Sequence, residues 1–142
     1  YDIRLSLVGS EMCIRDSHMG RPDVTLPVDG PQFGLFLRLM QEHENIWSKV
    51  SCPERLSVSG PRALNGEAAA YRDVVPFARR VVERFPDRVL WGTDWPHPNL
   101  KDHMPDDGLL VDFIPHIAVT PELQRAMLVD NPMRLYWPEE NR

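Results

Sequence analysis

The chain has 142 residues, enough for one domain with a buried core, and its net charge of −5 with scattered Lys and Arg residues excludes an extended basic surface. We therefore expect no nucleic-acid partner. No apolar run approaches the ~20 residues that cross a bilayer, and the amino terminus lacks the basic-then-apolar layout of a signal peptide, so we expect neither membrane insertion nor export.

Residues 1–17 differ in character from the rest of the chain. Their sequence, YDIRLSLVGSEMCIRDS, resembles a peptide that recurs when sequencing-adapter or linker DNA is translated, and it continues no βα pattern into His18. We therefore expect residues 1–17 to be a non-native segment outside the fold and take residues 18–142 as the domain. The alternative is that Ile3 to Val8 form a genuine strand.

Downstream, hydrophobic periodicity predicts alternating helices and strands. A helix opens at Pro31 and runs to about residue 44, a strand covers residues 46–50, and a helical stripe extends from about residue 68 to residue 85. Between the last two lies a loop from residue 51 to about 67, a length typical of lids and binding loops. The expected buried face of the first helix consists of Phe33, Phe36, Leu37 and Met40.

The last third of the chain is predicted as three helices. The first spans residues 109–117, and the second begins with Thr120 as N-cap and Pro121 in its first turn. Residues 130–132, Asp-Asn-Pro, then break the chain before a last short helix. The inward-facing positions are Leu110, Phe113 and Ile114 in the first helix and Leu123, Met127 and Leu128 in the second. Strands and helices in this order predict a parallel α/β sheet whose strand ends share one edge.

A short apolar strand at residues 89–91 is followed by the sequence GTDWPHP, which places the carboxylate of Asp94 just past the strand end. In parallel α/β proteins, reactive groups collect at the carboxyl ends of strands. Asp94 is therefore a candidate catalytic residue. The alternative is that Asp94 only caps the loop, since Asp is common before turns.

The two cysteines, Cys13 and Cys52, form no CxxC pair and no zinc-finger spacing with histidines. We expect no disulfide framework, no structural zinc site and a reducing, cytoplasmic location. Nothing nearby in the sequence activates Cys52, which we interpret as a small buried hydrophobic residue.

Three motifs in order, VLWGTDWPHPN, MPDDGLLVDFIP and LVDNPMRLYWP, resemble the end of an amidohydrolase-superfamily (β/α)8 barrel, and most of all its 2-pyrone-4,6-dicarboxylate lactonase group. HMGRP at residues 18–22 resembles that group's histidine strand end, and WSKVS at residues 47–51 its next strand. The resemblance implies an α/β fold that forms the C-terminal part of a TIM barrel, about its last three strands with their helices. Because a complete barrel takes about 250 residues, we expect this piece alone to be poorly stable and inactive.

The resemblance also assigns roles to four side chains. Asp94 is the expected general base, and His18 is expected to polarise the ester carbonyl, with a metal ligand or a neutral core histidine as its alternatives. Arg21 and Arg55, each behind a predicted strand end, are expected to bind substrate carboxylates. Solvated loop arginines are the plain alternative for both.

These roles describe a hydrolase that opens a carboxylated lactone such as 2-pyrone-4,6-dicarboxylate, in bacterial breakdown of aromatics, by base-activated water. The chain contains no HxH motif, through which many amidohydrolases bind metal. The resembled lactonase group works without bound metal, so we expect no metal and no cofactor. The alternatives are a metal-dependent decarboxylase or other lactonase of the superfamily, and a non-catalytic α/β binding module. His97 and His103 line the pocket or lie on the surface, and the oligomeric state is left open.

Overall fold

The computed structural model describes residues 5–8, 13–16, 18–61, 70–98, 100, 102 and 104–141, with the backbone alone described for residues 5–8, 13–16, 140 and 141. A four-stranded sheet forms its centre. The strand order is β1 (Leu5–Val8), β2 (Cys13–Asp16), β3 (Ile46–Ser51) and β4 (Val89–Gly92). Strands β2, β3 and β4 run parallel, whereas β1 pairs antiparallel with β2. The predicted α/β class with parallel strands is therefore confirmed.

The strands β1 and β2 lie within residues 1–17, which differs from the expectation that this segment stands outside the fold. Strand β2 pairs in parallel with β3, with Ile14 opposite Ile46, and it ends two residues before His18. Strand pairing is made by backbone groups, which a segment without proline offers whatever its side chains are. The non-native origin of residues 1–17 is a separate matter and stays a prediction.

Two helices carry the parallel crossovers. Helix α1 (Pro31–Glu42) connects β2 to β3, and helix α3 (Val75–Arg84) connects β3 to β4. Their apolar faces meet in the core, where the Phe33 and Phe77 rings pack edge to face with centroids 5.0 Å apart. The predicted face of α1 is confirmed, since its buried residues are Phe33, Phe36, Leu37 and Met40. The buried residues of α3 are Phe77, Ala78, Val81 and Val82.

Helix α3 begins at Val75 rather than near residue 68. Tyr71 has a left-handed backbone, with φ of 55°, which ends any helix running through it, and Pro76 favours the first turn of a new helix. The predicted loop from residue 51 contains a short helix, α2 (Pro53–Leu56). The end of that predicted loop, residues 62–67, lies outside the described residues.

The predicted helix over residues 109–117 is divided into α4 (Asp107–Asp112) and α5 (Ile114–Ile117), because Pro115 has no N–H to continue the first helix. Leu110, Phe113 and Ile114 are buried as predicted.

The predicted break at residues 130–132 is absent. Helix α6 (Pro121–Arg125) continues through a π-helical turn (Ala126–Asp130) into α7 (Asn131–Tyr136), and a 3-10 turn (Pro138–Asn141) follows. The wide π turn accommodates Pro132, which a regular helical interior would not. The π turn also rotates the following side chains around the helix axis. Met127 is buried as predicted, whereas Leu128, which was predicted to face inward, is 40% exposed. Thr120 caps α6 as predicted, its Oγ1 accepting the Leu123 N–H.

Helix α7 is attached to the amino end of β4 by Asn131. The Asn131 Nδ2 donates to the carbonyl oxygens of Pro86 and Val89, both at 2.8 Å, and the residue is 1% exposed. This attachment lies at the opposite end of the strand from Asp94. Among the described helices, none has the length and apolar character needed to cross a membrane.

Candidate active site

Three strand ends converge at one edge of the sheet. His18 follows β2, Cys52 and Arg55 follow β3, and Asp94 follows β4. Because these strands are parallel, their carboxyl ends meet. The potential ligand atoms of His18, Cys52 and Asp94 all lie within 4.8 Å of one another. Asp94 and His18, which sequence reasoning set in one site, are therefore neighbours in space.

The His18 imidazole is held from two sides in a nearly buried position. Its Nδ1 shares a hydrogen bond with Ser51 Oγ at 2.9 Å, and its Nε2 lies 3.8 Å from Cys52 Sγ. Burial lowers the pKa of His18 from 6.5 to about 4, and the negative charge of Asp94 offsets only part of that effect. At neutral pH the ring is therefore neutral, so it acts as a hydrogen-bonding group rather than as a cation.

The Arg55 guanidinium contacts the Asp94 carboxylate. Arg55 Nη2 lies 2.8 Å from Asp94 Oδ2, with the two side chains 17% and 21% exposed. Sequence reasoning assigned Arg55 to a substrate carboxylate and did not foresee this pair. The contact orients the Asp94 carboxylate, and an incoming carboxylate at Arg55 would compete with it for the same donors.

A cavity of about 280 Å³ opens at this edge, lined by His18, Arg21, Cys52, Arg55 and Leu56. Arg21 thus borders the same space as His18, three residues along the chain. A separate cavity of about 350 Å³, lined by Glu44, Trp47, Asp87, Arg88 and Arg134, lies at the amino ends of β3 and β4. Position at the strand carboxyl ends favours the first cavity as the site.

Strained backbone is concentrated around the strand ends. Six described residues other than glycine have a positive φ between 52° and 64°. A left-handed backbone costs a residue with a Cβ about 1 kcal/mol or more. Such strain persists where the surrounding structure requires a particular side-chain direction, which is typical of functional sites. These residues are Met19, Arg21, Cys52, Tyr71, Asp94 and His97.

His97 is buried beside this region without lining the cavity, so it takes neither of the two positions expected from the sequence. Its residue exposure is 3%, and its Nε2 lies 3.1 Å from Asp107 Oδ1. Its Nδ1 lies 3.7 Å from Oε1 of Glu54, a carboxylate whose side chain is fully buried. Burial raises the pKa of Glu54. His103 lies outside the described residues.

Sequence reasoning missed Glu54, Ser51 and Cys52 as members of this site. Ser51 and Cys52 are small residues in an apolar strand end, and Glu54 is an ordinary first-turn helix residue, so none carries a signal in the sequence. The spatial signal is clear. In the described part of the chain, Arg55 Nε and Tyr71 Oη are buried here without a hydrogen-bond partner, whereas Arg55 Nη2 and Asp94 Oδ2 contact each other.

The donor set also bears on metal binding. His18, Cys52 and Asp94 offer a nitrogen, a sulfur and an oxygen, which is a set that zinc accepts. Burial raises the pKa of the Cys52 thiol, which therefore stays protonated, and Arg55 lies on the Asp94 carboxylate. A metal here would have to displace the guanidinium and a thiol proton. The three groups as arranged fit a metal poorly.

Comparison with known proteins shows the family to which the chain is similar in sequence and fold. The amidohydrolase family model matches residues 17–137. The chain is 83% identical over 123 residues to a 2-pyrone-4,6-dicarboxylate hydrolase of Comamonas testosteroni, covering 87% of this chain and 40% of the relative. It is 41% identical over 121 residues to a 4-sulfomuconolactone hydrolase of Hydrogenophaga intermedia, covering 84% and 37%. The apo crystal structure of an Agrobacterium tumefaciens protein superposes with a TM-score of 0.64 at 28% identity, covering 84% and 39%.

The chain belongs to the amidohydrolase family. Its resemblance to the lactonase branch is confirmed by the Comamonas relative. The chain spans about 40% of the length of the relatives it matches.

Proposed function

We propose that this chain supplies the sixth to eighth strands of an amidohydrolase barrel that hydrolyses a carboxylated lactone of the 2-pyrone-4,6-dicarboxylate kind. The observation that carries the proposal is the convergence of His18, Arg55 and Asp94 at one edge of a parallel sheet. The 83% identity to the Comamonas hydrolase supports the choice of substrate.

In the proposed reaction, Asp94 accepts a proton from water while the water oxygen attacks the lactone carbonyl carbon. His18 donates a hydrogen bond to the carbonyl oxygen and stabilises the negative charge that develops there. The ring C–O ester bond then breaks, and the leaving oxygen takes the proton from Asp94. The ring opens with one new carboxyl group, and the Asp94 carboxylate is restored.

Arg21 and Arg55 would orient the substrate through its carboxylates. Both line the cavity that contains His18, and a guanidinium binds a carboxylate through two parallel hydrogen bonds. Their positive charges also favour a dianionic substrate over a neutral lactone. When a substrate carboxylate binds Arg55, the guanidinium shares its charge between Asp94 and the substrate, which places substrate and base together.

A chimera tests the proposal. Residues 17–137 of this chain replace the matching segment of the Comamonas relative, and the product is here named the barrel chimera. We expect it to hydrolyse 2-pyrone-4,6-dicarboxylate, followed by the loss of pyrone absorbance, with kcat/KM within about tenfold of the relative. The Asp94→Asn variant should lose about 10²–10⁴-fold in kcat, whereas Asp112→Asn, at an exposed carboxylate, should not. An active Asp94→Asn variant would remove Asp94 as the base.

A metal-dependent lactonase or decarboxylase is the second candidate, for which His18, Cys52 and Asp94 would supply the ligand atoms once the Arg55 guanidinium and the Cys52 thiol proton are displaced. Stoichiometric zinc in the purified barrel chimera, with activity lost on chelation and restored by zinc, would support this candidate over the first. A non-catalytic binding module would be favoured by a cavity without acidic or histidine groups near Asp94. His18 beside Asp94 and the Glu54–His97 pair nearby argue against it.

We also propose a cytoplasmic location. Cys52, the cysteine whose side chain the structure describes, is free and buried, which agrees with a reducing compartment. Fractionation of a producing bacterium, with lactonase activity followed in each fraction, would test the location.

A further inference from the structure

Two contacts between a carboxylate and a nitrogen-bearing side chain lie side by side between helix α2 and the turn after β4. Neighbouring residues on α2, Glu54 and Arg55, supply one member each. Asp94 and His97 supply the others, and the His97 N–H donates to the Asp94 carbonyl oxygen at 2.8 Å. The contacts are Glu54 Oε1 to His97 Nδ1 at 3.7 Å and Arg55 Nη2 to Asp94 Oδ2 at 2.8 Å. Moving one contact therefore moves the backbone that carries the other.

The Glu54–His97 contact is the more deeply buried of the two. The Glu54 and His97 side chains are 0% and 1% exposed, against 17% and 21% for Arg55 and Asp94. On its other side the His97 ring meets Asp107, the first residue of α4, whose side chain is 49% exposed. The ring orientation is thus fixed by two carboxylates from two different helices.

We propose that Glu54 and His97 are positioning residues that hold the Arg55–Asp94 pair in its reactive arrangement; this inference rests on the proposed lactone hydrolysis at the same site. Neither residue lines the cavity that contains His18. They act through the backbone. Glu54 sets the direction of the next residue, Arg55, and His97 sets the turn that carries Asp94.

A purely stabilising role does not account for this pair. The Glu54 side chain is fully buried, and burial raises the Glu54 pKa although the residue's own backbone N–H and the nearby Arg55 charge act in the opposite direction, so the ionised form is costly to bury. His97 also has a left-handed backbone with φ of 57°. A buried carboxylate beside a strained turn lowers the stability of the fold, and such destabilising groups are typical of functional sites.

The test uses Glu54→Gln and His97→Asn in the barrel chimera. The Gln variant keeps the shape of Glu54 and removes its charge. We expect kcat/KM to fall about a hundredfold, with kcat lowered through Asp94 and KM raised through Arg55, since small misplacements cost that much. The melting temperature should stay the same or rise. The double variant should lose about as much kcat/KM as either single variant.

Two further variants are the controls. Glu83→Gln removes an exposed carboxylate on α3, and Thr120→Ala removes the α6 cap.

A readout independent of turnover accompanies the kinetics. The Arg55 Nη–H resonance, assigned by its loss in Arg55→Lys, should be shifted from the free arginine position in the barrel chimera because Nη2 contacts Asp94. It should move toward the free position in Glu54→Gln and His97→Asn, but not in Thr120→Ala. If the chimera does not hydrolyse the lactone and the resonance still moves, the proposed function fails and the positioning role stands. If the variants keep full kcat and KM and an unmoved resonance, the positioning role is refuted. A fall in activity only in step with a lower melting temperature, as in Thr120→Ala, also refutes it.

Discussion

Acidification should destabilise the chain through His18, whose pKa is lowered from 6.5 to about 4 in the folded state. Between these values the unfolded chain binds more protons at this residue than the folded chain does. The stability that His18 contributes is therefore complete above pH 6.5 and is lost as the pH falls toward 4. For one site with these two pKa values, the loss relative to neutral pH is about 2 kcal/mol at pH 5 and about 3 kcal/mol at pH 4.

Urea unfolding of the barrel chimera and its His18→Gln variant at pH 7 and pH 5 measures this loss. Glutamine can keep the hydrogen bond to Ser51 but has no proton to gain in this pH range. Titrating groups that are not coupled to His18 contribute equally to the pH dependence of stability in both proteins. The free energy of unfolding should fall by about 2 kcal/mol more in the parent than in the variant. An equal pH dependence in the two proteins would refute a buried, neutral His18.

The remaining predictions concern the thiol and the attachment of the last helix. In a Cys13→Ser variant, Cys52 should react with iodoacetamide far more slowly in the folded chain than in urea. The reason is that burial raises the pKa of the Cys52 thiol and leaves little thiolate. Equal reaction rates would show an accessible thiol. In urea unfolding, Asn131→Ala should lower the free energy of unfolding by about 2–3 kcal/mol, because two buried carbonyl oxygens lose their donor. A loss below about 0.5 kcal/mol would contradict this account.

The regular elements of the fold were predictable because periodicity reports burial directly. The apolar spacing of α1 identified all four of its buried residues, and the strand at Val89 was recognised from its apolar run. The errors fall where backbone chemistry overrides periodicity. Pro115 divided one predicted helix, and a π turn joined two others across Pro132.

The candidate site was partly predictable for a topological reason. His18, Arg55 and Asp94 each follow a strand, and parallel strands bring their ends together whatever the loops do. Partners within the site were not predictable. Arg55 contacts Asp94, and His97 contacts both Glu54 and Asp107. These contacts depend on side-chain directions set by residues with a left-handed backbone, which no local sequence pattern predicts.

The double hydrogen bond from Asn131 has a consequence for natural variation. It joins residues 42 positions apart at the end of β4 that is remote from the cavity. A substitution there leaves the residues around the cavity in place in each folded molecule but increases the fraction that is unfolded and degraded in the cell. Cells that produce such a variant would contain less of the protein, and a lower growth temperature would restore the amount.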